Sequence, residues 1–201
     1  SVTSSSYYPV DGTTRDQNLF WRDGKRQEEK PIGAQRWVVD EDYLTVLGMK
    51  LVQGRNFQKE LASDSQAIII NQAMAKALGL KEPPGEKIVN WTTYTIIGVV
   101  EDFHYETMRS ENRPLCLTRG SGGEIVSVKA STREMPEMLS KIKRTWETFL
   151  PHQPLRYTFL DESYRHMYAD VQRTGKVFAT FAVLALIVAC LGLFALSAYM
   201  V

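Results

Sequence analysis

The chain has 201 residues, with 24 basic against 23 acidic side chains and a formal net charge of +1. The two signs alternate along the sequence and no basic block is interleaved with aromatics, which argues against a nucleic-acid partner. Of the two cysteines, Cys116 lies in the apolar run Pro114-Leu115-Cys116-Leu117 and Cys190 in a charge-free terminal segment, so no disulfide framework is expected.

In chain order, Ser1 to Ser4 reads as a short strand entered without a start signal, so the chain is expected to begin within a larger protein. Residues 7–33 are rich in Gly, Pro, Asp, Arg and Gln around one aromatic island, Leu19-Phe20-Trp21, which predicts loop, edge strand and loop. Arg36 to Val39 reads as a strand. Asp40 is then the expected N-cap of a short helix with Tyr43, Leu44 and Leu47 on one face, closed by Gly48 in the left-handed conformation. A strand over Met49–Val52 ends at Gly54. Ala67-Ile68-Ile69-Ile70 is a buried strand, and Asn71 caps a helix from Gln72 to Leu78 that stops at Gly79. Tyr94 to Val100 is the strongest strand signal, apolar on both faces and hence central in its sheet.

After the glycine-rich loop 120–123, Ile125–Ala130 reads as a strand. Pro136 opens a helix in which Met138, Ile142, Trp146 and Phe149 recur at helical spacing until Pro151. Leu155–Leu160 is expected as another strand. The resulting β-α-β, with the strand at Ser1, resembles part of a split ferredoxin-like unit. From Asp161 a last helix carries Tyr164, Met167, Tyr168 and Val171 on one face, with Gly175 as its weak point. Residues 177–201 contain no charge. As helix they would extend about 37 Å, enough to cross a hydrocarbon core of about 30 Å. A transmembrane helix is expected there, with residues 161–176 as a stalk leading into it.

Candidate chemistry is sparse. On a strand, Asp102, His104 and Glu106 would face one way, a spacing able to hold a divalent cation or orient a general base. No further ligand cluster accompanies them, and His152 and His166 stand among ordinary surface residues, so a polar strand end is the favoured reading. The serines at positions 4–6 and at 121 lack a nucleophile-elbow context, since Gly120-Ser121-Gly122-Gly123 is not GxSxG. Gly54-Arg55-Asn56-Phe57 reads as a turn with Gly54 at positive φ and Phe57 closing a core, in preference to an anion site. Phe20, Trp21 and Trp37 read as core in preference to an exposed partner surface. No Walker loop of the form GxxxxGK[ST] occurs. No catalytic residue, metal ligand or cofactor is assigned.

The order of these segments resembles the MacB/FtsX-type permease family of ABC transporters. The resemblance is carried by the runs Val39-Asp40-Glu41-Asp42-Tyr43-Leu44 through Gly54-Arg55-Asn56-Phe57, then Ile68-Ile69-Ile70-Asn71 through Leu78-Gly79. Ile97-Gly98-Val99-Val100-Glu101-Asp102-Phe103-His104-Tyr105, Arg113-Pro114-Leu115 and Gln172-Arg173-Thr174-Gly175-Lys176 follow in the same order. It implies an α/β (α+β) fold with a porter-like subdomain at 1–20 and 121–160 and an inserted sabre-like subdomain at 21–120. It also implies a non-catalytic permease domain that transmits the motion of a cytoplasmic ABC ATPase across the bilayer. A second permease copy is implied as partner, and a periplasmic adaptor or other partner protein is a further candidate. Residues 1–176 would then lie in the periplasm and the last helix in the inner membrane. Arg173 and Lys176 beside the apolar stretch would place this flank in the cytoplasm on a simple positive-inside count, but large domains cross regardless of such charges. The alternative is a membrane-anchored sensor or scaffold domain that binds a ligand or partner protein.

Overall fold

Short strands joined by turns, with two small helices between them, build the described chain from Val2 to Val128, and two longer helices follow. The computed structural model describes residues 1–7, 17–103, 113–120 and 125–199, without the side chains of 132, 164, 166–174, 176, 194 and 196–199. It divides into two units, Ser1–Leu155 and Arg156–Val201.

In the first unit the strands are β1 (Val2–Ser5), β2 (Gln17–Arg22), β3 (Ile32–Val39), β4 (Leu51–Gly54), β5 (Ala67–Asn71), β6 (Lys87–Val89), β7 (Thr93–Val100), β8 (Leu115–Arg119) and β9 (Ile125–Val128). They form one nine-stranded mixed sheet in the order β2-β6-β7-β5-β8-β3-β1-β9, with β4 paired to β7. Because β2 pairs with β3 as well as with β6, the strands β2, β6, β7, β5, β8 and β3 close into a ring. Closure removes the free edges that an open sheet of these strands would present. The bend is helped by irregular register: Ile68 pairs with Ile96 but Ile69 with Gly98, so Ile97 is an extra residue in β7.

The interior of the ring is the apolar cluster to which each of its strands contributes: Phe20 from β2, Ala34 from β3, Ile68 and Ile70 from β5, Ile88 from β6, Ile96 from β7 and Cys116 from β8. Helix α2 (Gln72–Ala77) adds Met74 and Ala75, and its C-cap Leu78 joins them. As expected, Asn71 caps α2, its side chain accepting from the Met74 amide. The opposite face of β3, β8 and β5 carries Trp37, Val39, Leu115, Leu117, Ala67 and Ile69. Tyr43 and Leu44 of helix α1 (Tyr43–Leu47), together with Phe57, cover it. β5 is therefore buried along its whole length, which is why its four apolar residues run without alternation. Truncating Trp37, wholly buried in this second cluster, would cost about 3–5 kcal/mol.

Two glycine positions are dictated by close approach. Gly54 has φ +75°, and a Cβ on it would lie 2.2 Å from the Ile97 carbonyl oxygen. Its cross-strand partner Gly98 would place a Cβ 2.6 Å from the Arg55 carbonyl oxygen, so β4 and β7 meet where neither can carry a side chain.

Helix α3 (Met135–Phe149) starts with Pro136 in its first turn, as expected, yet it has no fully buried residue. Met138, Ile142 and Trp146 are half-buried, and Phe149 is 78% exposed. The helical spacing was correct, but a complete core face is not formed. The expected strand at Leu155–Leu160 does not form either: residues 155–159 lack strand pairing, and helix α4 (Leu160–Tyr199) begins at Leu160. A strand exists only where a neighbour supplies its ladder, and among the described residues none pairs with this run.

The second unit is dominated by α4, which runs 40 residues without a break. Residues 200 and 201 lie outside the described residues. Among the described residues no helix is long and apolar enough to cross a membrane. From Val177 to Leu193, however, α4 holds no charged residue, and Phe178, Phe181, Leu186, Val188 and Leu193 are all exposed.

Candidate functional site

The sequence-derived candidates fall into three groups. In the first, Asp102 is engaged with a helix end: its Oδ1 accepts from the Ala73 amide at 2.9 Å, while its own amide donates to Gln72 Oε1 at 3.3 Å. His104 and Glu106 lie outside the described residues, as does Ser121. Among the described residues no group of three or more His, Cys, Asp or Glu could hold a metal ion. Cys116 is wholly buried, and burial pushes its thiol far above the usual range, which makes it a core residue in its chemistry.

The second group is the turn Gly54-Arg55-Asn56-Phe57. Gly54 has the expected positive φ and Phe57 is buried. The sequence did not reveal the partner of Arg55. Its guanidinium grips Asp64 in two-pronged fashion, Nη2 donating to Oδ1 at 2.7 Å and Nη1 to Oδ2 at 3.0 Å. The Gln58 amide donates to the same carboxylate at 2.8 Å. Asp64 is only 1% exposed, and the Arg55 bond holds its carboxyl below the ordinary range despite the burial. The aromatic trio splits: Phe20 lies in the ring interior and Trp37 in the second cluster. Trp21 points outward beneath the Arg26 guanidinium, 4.8 Å from its ring centroid.

A third group concerns mechanics. The stalk positions Tyr164, Met167, Tyr168 and Val171 lie on the backbone of α4, their side chains outside the description. Gly175 is in the same helix, and a Cβ built on it would meet nothing within 4 Å. In the first unit, β1 and β9 form a two-stranded ribbon with four register pairs. Its ladder to the ring holds one register pair, Ser5 opposite Val39. Here Asp40 departs from expectation. The N-cap of α1 is Asp42, without a side-chain bond, and the Asp40 carboxylate turns instead to β1, accepting from the Thr3 hydroxyl and the Ser4 amide.

The family model described as the MacB-like periplasmic core domain matches residues 6–134. The chain belongs to this family. The MacB-like assignment takes in both apolar clusters and the whole ring, and ends just before α3. No curated protein sequence matches the chain. Among solved structures, the extracellular domain of the noncanonic ABC-type transporter YknZ from Gram-positive bacteria is similar, with 17% identity, a TM-score of 0.55 and 76% of each chain covered. The periplasmic region of MacB from Actinobacillus actinomycetemcomitans is similar at 17% identity with a TM-score of 0.50, covering 74% of this chain and 67% of that one. At such identities the likeness concerns the fold. The chain is therefore a MacB-like periplasmic core domain with a mixed α/β fold.

Proposed function

We propose that this MacB-like domain transmits ATPase-driven movement between the inner membrane and the periplasm, and that it performs no chemistry of its own. In this reading residues 161–176 of α4 are a stalk, residues 177–201 lie in the bilayer and residues 1–176 are periplasmic. The partners are a cytoplasmic ABC ATPase, a second permease copy and the lipid itself, with a periplasmic adaptor as a further partner. What carries the reading is α4, a continuous helix whose C-terminal half is charge-free and exposes Phe178, Phe181, Leu186 and Val188. Such a surface is unfavourable in water and matched by hydrocarbon.

The subdomain division belongs to the same reading, with 1–20 and 121–160 porter-like and 21–120 inserted. It is supported by the pairing of β1 with β9, which brings together the two ends flanking nearly all of the ring strands.

The test is mechanical. Proline at Val171 removes one helical hydrogen bond and clashes with the preceding turn, at about 3 kcal/mol or more, and kinks the rod. In the reconstituted transporter the Val171→Pro variant should hydrolyse ATP while moving little substrate. Transport at the wild-type rate in an intact complex would show that the helix is not a transmission rod.

A further inference from the structure

Among the described residues, the joint between the β1–β9 ribbon and the ring is built differently from the strand contacts within the ring. Within the ribbon, Val2, Thr3, Ser4 and Ser5 each face a β9 partner. Toward the ring there is one register pair, and the buried side of β1 consists of hydroxyls: Thr3 and Ser5 are each 1% exposed. Most ring contacts bury isoleucine, leucine or valine, whose adhesion has no direction and is lost only by unfolding. At Ser4–Ser6 the adhesion is a short set of directional bonds, and the apolar contact resumes only at Tyr7, whose ring packs 6.5 Å from that of Trp37. Asp40 accepts from the Thr3 hydroxyl with one oxygen and from the Ser4 amide with the other, while its own amide donates to the Ser4 carbonyl at 3.3 Å. Beside them the Ser6 amide donates to the Val38 carbonyl at 2.9 Å, and the Val38 amide donates to Ser6 Oγ at 2.9 Å.

Asp40 has no part in closing the neighbouring helix: it lies two positions before the N-cap Asp42, and α1 has no side-chain cap at all. The carboxylate is committed to residues 36 and 37 positions earlier in the chain. Charged acceptors make stronger hydrogen bonds than neutral ones, so this one side chain carries a large share of the joint.

We propose that Asp40 is a latch, and that the β1–β9 ribbon is an arm able to part from the ring at Ser4–Ser6 and Val38–Asp40 while keeping its own ladder. The latch stands whether or not α4 enters a bilayer, because all of its atoms lie in the first unit.

Hydrogen exchange read by mass spectrometry on the whole chain in detergent tests it. In Asp40→Ala, the amides of Ser4, Ser6 and Asp40 should exchange about tenfold faster, as a local opening does. The segments Ile125–Val128 of the ribbon and Ala67–Asn71 of the ring should keep the wild-type rate. Should that variant fail to fold, Thr3→Val removes one hydroxyl bond at nearly constant shape and should speed the same joint amides about threefold. Unchanged joint exchange would overturn the latch. So would joint, ribbon and ring amides all accelerating together, since that reports general destabilisation.

Discussion

Asp64 shows how a single buried charge is made tolerable. A carboxylate that is 1% exposed would be costly alone, but it accepts two bonds from Arg55 and one from the Gln58 amide. The Arg55 side chain remains 38% exposed, so water screens part of the attraction. Because the folded carboxyl titrates below its unfolded value, its contribution is fully present above the unfolded value, about pH 3.9, and is lost as pH falls through the lower folded one. Asp64→Asn should therefore cost about 2 kcal/mol at pH 7 in urea unfolding, with the gap to wild type shrinking in strongly acidic buffer. A gap that does not change with pH would mean that shape, and not charge, is what Asp64 supplies. The motif Gly-Arg-Asn-Phe shows a turn in the sequence, but nothing in it points nine residues ahead to the carboxylate that Arg55 needs.

Among the elements, α4 differs most from the rest. Gly175 lies within a helix where, among the described residues, a Cβ would meet nothing within 4 Å. Gly175→Ala should stabilise this turn by up to about 1 kcal/mol through helix propensity. The gain is measurable as slower amide exchange in the turn around residue 175 of the detergent-solubilised protein. Faster exchange there would mean that the glycine is needed for a bend or a close neighbour. Strand assignments were readable where composition was extreme, as in Ile68-Ile69-Ile70 and in Ile96-Ile97-Gly98-Val99-Val100. Leu155–Leu160 carries comparable residues and forms no strand, because pairing depends on a partner and not on the segment's own propensity. Likewise α3 has an apolar stripe at the right spacing, yet Phe149 remains exposed, since periodicity says which face is apolar and not what covers it.

At the scale of the molecule, the first unit holds both apolar clusters and the nine described strands. A fragment of residues 1–155 should therefore fold by itself and melt in one cooperative transition. Its calorimetric enthalpy should be about 100 kcal/mol and should match the van't Hoff value. A broad melt without a heat-absorption peak would mean that the ring needs the second unit to form. The sequence by itself determined the helix starts and stops at Asn71, Gly48 and Gly79, the buried strand β5, the charge-free helix and the family resemblance. These depend on residues within a few positions of each other, where backbone sterics and local hydrogen bonds decide. Tertiary structure alone decided that β2 closes the ring against β3, that Gly54 and Gly98 must both be glycine, that Arg55 finds Asp64 and that Asp40 leaves its helix to hold β1. Each of these is a meeting of chain segments whose partners are fixed by three-dimensional closure and the burial it brings, a cooperative property of the whole fold that no local window of the sequence contains.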